Sequence, residues 1–209
     1  MGFQFANTRQ LDFNSAHPID DTDLENIGER VKHMNIIAHA QGFYYHIKGL
    51  TNRVEDPLSS KRFYEIAISK FEEALDSNPN NKEILMSIAL TWILSIEEDY
   101  RNVPNAIFSK DDPRVKKAQE YSLRAISAEP KYDFFSMFRY AQFLEKCGEY
   151  TDAEDYFLMA LEVDPNNTGC LHSYGNFLSA LGLHDEAERF YLRSSQTTLG
   201  FKYTPEWYY

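Results

Sequence analysis

The sequence predicts an all-α fold, a right-handed solenoid of about four helix-turn-helix units in which the first two units carry loop insertions. Three observations lead there. Residues 134–201 repeat every 34 residues: Ala141, Leu144, Gly148, Tyr150, Ala153, Phe157, Ala160 and Pro165 stand at unit positions 8, 11, 15, 17, 20, 24, 27 and 32, and Gly175, Leu178, Gly182, Ala187 and Tyr191 return at 8, 11, 15, 20 and 24. Two upstream segments, ending at Pro79 and Pro130, match the second half of the same unit. Small residues recur at positions 8, 20 and 27, where they let helices approach, and large ones recur between them to fill the space.

The elements follow in chain order. Residues 1–20 show no clear periodicity and are expected to be extended or mobile. Thr22 and Glu25 resemble a capping box, and Leu24, Ile27, Val31 and Met34 have helical spacing, so one long helix is expected from about Asp23 to Lys48. The first unit spans about 35–81. Gly42, Tyr45 and Gly49 supply its positions 8, 11 and 15, and Tyr64, Ala67, Phe71, Ala74 and Pro79 supply 17, 20, 24, 27 and 32. The excess residues between these halves predict a loop over roughly Leu50–Ser60, with Ser59 or Ser60 capping the second helix. The second unit, 82–133, places Leu85, Ala89 and Trp92 at 4, 8 and 11 and Ala118, Ala125 and Pro130 at 20, 27 and 32. Its extra loop falls over Glu98–Asp112 and ends where Asp112–Pro113 reads as an N-cap followed by Pro at the first helical position. Units three and four span 134–167 and 168–201. Residues 202–209 belong to an aromatic tail from Phe201, for which two roles stand: a cap on the last helix, which otherwise leaves Phe190 uncovered, or a docking motif.

This pattern resembles the tetratricopeptide repeat, over about residues 35–201. The resemblance implies that the first helix of each unit lines a concave surface through positions 2, 5, 9, 12 and 13. Carried onto this chain, the set is Ile36, His39, Phe43, His46 and Ile47; Glu83, Met86, Leu90, Ile93 and Leu94; Phe135, Phe138, Gln142, Glu145 and Lys146; and Gly169, His172, Asn176, Ser179 and Ala180. The first half is apolar and the second mixed and polar. An apolar groove of that size implies a cover. A partner peptide or helix is one reading, with Gln142 and Asn176 fixing its register; a segment of the chain itself is the other. Members of the family that hold the C-terminal carboxylate of heat-shock chaperones use Lys, Arg and Asn at positions 5 and 9. His39, Phe43, Leu90, Phe138 and Gln142 occupy those positions here, and a frame one unit later gives Met86, Leu90, Gln142, His172 and Asn176, so that ligand is not expected.

Composition narrows the function further. A net charge of -11 argues against binding nucleic acid through clustered cations. No apolar run approaches the length of a membrane span, which with the absence of a leader-like start predicts a cytoplasmic protein without membrane insertion. Cys147 and Cys170 are too few for a disulfide framework and read as reduced packing residues. His39 and His46 lie about two turns apart, too far to share an ion, and no metal or other cofactor is expected. Glu97, Glu98 and Asp99 read as solvated surface. The nine glycines form no phosphate-cradling loop, and no nucleophile stands beside a base, so no catalysis is expected. The resulting expectation is a scaffold or adaptor that binds a protein segment through His39, Phe43, His46, Met86, Leu90, Ile93, Phe135, Phe138, Gln142, His172 and Asn176. The alternatives are a regulatory or targeting segment of a larger enzyme, or a small-GTPase effector that uses the insertion loops.

Overall fold

The computed structural model describes residues 21–103, 106–129 and 132–203, and the side chains of 34–103, 106–129 and 132–197. The expectations for residues 1–20, the Thr22–Glu25 box, Pro130 and the last residues of the aromatic tail lie outside them. Eight α-helices and no strand occur among the described residues: α1 Asp21–Asn52, α2 Pro57–Leu75, α3 Lys82–Tyr100, α4 Pro113–Ser127, α5 Phe134–Lys146, α6 Tyr150–Val163, α7 Thr168–Ala180 and α8 His184–Tyr203. They pack as successive antiparallel pairs, each pair against the next, in an α-solenoid.

The unit boundaries have local causes. Asn81, Asp133 and Asn167 are the N-caps of α3, α5 and α7, and their side chains accept from the backbone N–H groups of Ile84, Ser136 and Cys170. Gly148 and Gly182, at unit position 15, take φ of 72° and 83°, a left-handed turn that ends α5 and α7. Position 8 works by proximity instead. A Cβ added to Gly42 would stand 2.5 Å from the Phe71 ring, and one on Gly175 would stand 2.6 Å from the Tyr191 ring. In each case the glycine admits the position-24 aromatic of its own unit.

The expected loop over Leu50–Ser60 is corrected. Gly49 does not end α1; it sits against the Tyr64 ring while the helix runs on to Asn52. Only a short turn follows. Asp56, rather than Ser59 or Ser60, caps α2 by accepting from Ser59 N–H, and Pro57 begins the helix. Ser60 is fully buried, and its hydroxyl donates to the Gly49 carbonyl at 2.8 Å. The surplus residues thus lengthen a helix pair.

The second insertion does form a loop, and it folds back onto the stack. Phe108 is buried against Tyr100 and Phe143, and its backbone N–H donates to the Lys146 carbonyl at 2.7 Å, capping the end of α5. Asp112 caps α4 with Pro113 at its start.

Two buried clusters make the core. One runs from α1 through α4 around Phe71, Leu85, Ile88 and Tyr121, and the other from α3 to α8 around Phe143, Phe157, Leu171 and Phe177. Leu90 and Trp92 pack against both. Burying one such Phe stabilises the fold by roughly 2–3 kcal/mol.

Candidate functional site

The first helices of the units lie side by side. His46 Nδ1 meets Thr91 Oγ1 at 2.8 Å between α1 and α3, Lys146 pairs with Glu97 at 3.6 Å between α5 and α3, and Gln142 Nε2 donates to Ser173 Oγ at 3.4 Å between α5 and α7. Their common face carries most of the residues the sequence picks out, but not all are equally accessible.

On α1, Ile36 is 66% exposed and Phe43 45%, with the His39 ring beside Phe43 at 4.9 Å. On α5, Phe135 is 51% exposed, while Phe138 is half-buried between Phe134 and Phe157. Between them on α3, Leu90 is half-buried in the core junction. Met86 and Ile93, expected to face a partner, are buried within the core clusters and present no surface. The reason lies in α3 itself, which carries apolar residues on nearly every side and is packed by its neighbours on nearly every side.

His46 is a structural pin rather than an open contact. The Thr91 hydroxyl donates to the Ser87 carbonyl at 2.6 Å, so its oxygen accepts from His46 Nδ1–H, and burial lowers the imidazole's pKa. The amides expected to read a partner are also engaged. Gln142 accepts from Arg139 at 2.9 Å, and Asn176 accepts from the Tyr191 hydroxyl at 2.9 Å. His172, exposed, lies over the Tyr191 ring.

At the Asn35 end of this face, a cavity of about 410 Å³ opens between α1 and the α2–α3 turn, lined by Asn35, Ile36, His39, Asn78, Asn81 and Ile84 among others. Asn35 Nδ2 and His39 Nε2 are buried there without a hydrogen-bond partner. Such groups cost stability until something pairs with them. Their roles are not legible in sequence, because nothing in the spacing tells which polar atoms will lack a partner.

Within the acidic run on α3, Glu98 corrects the expected reading as solvated surface, while Asp99 stays exposed. The Glu98 side chain is fully buried and accepts from Arg53 and, at 2.5 Å, from Arg101. Glu97 takes Arg53 at 3.0 Å, and Asp99 takes Lys61 together with Arg114 at 2.7 Å. Three carboxylates at a helix C-terminus oppose its dipole, and cations from α2, α4 and the turn after α1 compensate. Beside this knot, a cleft of about 850 Å³ lies between Arg53, Arg101, Lys146, Tyr100, Ile107 and Tyr150. No sequence signal links Arg53 to a helix that starts nearly thirty residues later.

Burial pushes both thiols, Cys147 and Cys170, up to about 12, so neither is a thiolate at neutral pH. Among the described residues no group of three ligating side chains could hold a metal ion, and no helix is long and apolar enough to cross a membrane.

Comparison with known proteins agrees with this architecture. No curated protein matches the chain. The solved structure of MamA RS-1, an ArsTM double mutant, is similar in fold with a TM-score of 0.54 at 11% identity, over 78% of this chain and 97% of that one. MamA MSR-1 gives 0.49 at 17% identity, over 75% and 96%. Residues 136–167 match the family model of the tetratricopeptide repeat, across the α5–α6 unit whose caps and glycine turn are described above. With that match, the α5–α6 unit carries the tetratricopeptide-repeat pattern, set within an α-solenoid of successive helix pairs.

Proposed function

We propose that the chain binds an amphipathic helix or extended segment of another protein along the face formed by α1, α3, α5 and α7. The observation that carries this is the set of large apolar side chains left open on one face, Ile36 and Phe43 on α1 and Phe135 on α5. A partner's apolar anchors gain by burial against them, and Leu90 and Phe138 form the floor between. At the apolar end, His39 and Asn35 line the cavity between α1 and the α2–α3 turn and make part of its wall polar. At the other end, His172 and Asn176 offer exposed polar contacts. A contact at the edge of the stack is the second reading, supported by exposed Val103 and Ile107 beside the charged cleft.

The test uses variants that leave the core alone. Leu90 packs on both clusters, so its substitution mixes binding with folding; Ile36→Glu and Phe135→Glu do not. Affinity capture with the intact chain, read by mass spectrometry, is expected to recover a discrete partner that the double variant loses at least tenfold, with an unchanged circular dichroism spectrum. Undiminished recovery overturns the groove reading. If Val103→Glu and Ile107→Glu alone abolish recovery, the edge is the site.

A further inference from the structure

The two ends of the solenoid are unlike. Terminal units of a stacked array ordinarily turn a polar face to water. The last helix does so: Asp185, Glu186, Glu188, Arg189 and Arg193 are all exposed on α8. The first helix does not. Ile37 is 56% exposed, Tyr44 59% and Ile47 54%, and with exposed Ala40 and Thr51 they form one stripe at alternating spacings of three and four. Ala38, Gly42 and Gly49 face the other way, into the pair with α2. An open cleft of about 570 Å³ runs along the stripe beside Ala40, Tyr44, Ile47 and Thr51.

We infer that a second copy of this chain docks on that stripe, α1 against α1, antiparallel about a two-fold axis near its middle. The asymmetry of the ends selects this arrangement. Head-to-tail stacking would set the apolar stripe against the charges of α8, stripping them of water without partners. A two-fold contact sets the stripe against itself, apolar on apolar, and closes at two copies. Small Ala40 between large Ile37, Tyr44 and Ile47 leaves a hole into which a large side chain of the facing helix fits. With the flanking Ile36, Gln41 and Lys48, the stripe buries on the order of 500 Å² per copy, or roughly 1,000 Å² across the pair, the size at which specific interfaces begin. The proposal does not rest on the groove reading: its central residues Ile37, Ala40 and Tyr44 are not groove residues, although Ile36 borders both surfaces and Phe43 also lines the cleft.

Sedimentation velocity on the full chain at micromolar concentration is expected to show twice the 24.4 kDa chain mass. Tyr44→Glu is expected to weaken the dimer at least 100-fold with circular dichroism unchanged; Ile37→Glu provides the same measurement if that variant fails to fold. Leu192→Glu, on the exposed side of α8, leaves the dimer intact. A short bismaleimide on Tyr44→Cys joins two copies and stops there, because Cys147 and Cys170 are buried. A monomer at every concentration, a dimer that survives both stripe variants, or a cross-linked ladder beyond two copies overturns the proposal. So does a monomer that dimerises only when residues 1–20 are removed, since the stripe is then covered within one chain.

Discussion

Glycine at unit positions 8 and 15 does two different jobs that one residue type conceals. Gly175 touches the Tyr191 ring so closely that a Cβ has nowhere to go, whereas nothing lies within 4 Å of the Cβ position at Gly182, where φ is 83°. The first need is steric and the second conformational. Gly175→Ala is expected to destabilise the protein by about 2–3 kcal/mol through overpacking. Gly182→Ala is expected to cost nearer 1 kcal/mol, the penalty of a left-handed backbone. Urea denaturation of the two variants checks the order; equal losses would show that the ring at Tyr191 moves aside freely. Gly49 shows why sequence position alone misleads. It holds position 15, yet it serves close approach to Tyr64, so α1 continues past it.

Elements are joined by contacts that recur between units. Arg124 on α4 donates to the Pro79 carbonyl at 3.0 Å, and Arg193 on α8 donates to the Pro165 carbonyl at 2.7 Å, each reaching the turn that closes the preceding unit. The acidic end of α3 is particular to this chain. Hydrogen bonds from Arg114 hold the Asp112 carboxyl below its usual value against the opposing effect of burial. Burial pushes the Asp99 carboxyl up, but Lys61 and Arg114 outweigh it, and the net direction is again down. Both folded-state values therefore lie below the ordinary 3.8, so the stabilisation is complete above that pH and is lost as pH falls through the folded values. The urea midpoint is expected to fall below about pH 4, and Asp99→Asn should flatten that fall while lowering the midpoint at pH 7. Midpoints measured at pH 7, 4 and 3 for both proteins decide it; parallel curves would mean that the knot contributes nothing.

At the scale of the whole molecule, stability is divided between two clusters that meet at Leu90 and Trp92. In a stack where each unit touches only its neighbours, weakening one junction separates the halves. Leu90→Ala is expected to cost about 2–3 kcal/mol and to split a single urea transition into two, followed by circular dichroism and by the fluorescence of Trp92 at the junction. A single shifted transition would show that the clusters remain coupled through Trp92 alone. The sequence by itself determined the repeat and the helix pairs, because those depend on spacing within one unit, and it marked Asp112–Pro113 as the start of α4. It also predicted a shared face for Phe43, Phe135 and Asn176. What it did not determine was which members of that face stay open. Met86 and Ile93 have the right positions and are buried, and Glu98 has the wrong chemistry for a core and is buried too. Only the tertiary structure decided these, because burial depends on which neighbouring helix packs against each side, and the Glu98 carboxylate, beside its local partner Arg101, takes Arg53 only once α1 and α3 are packed together.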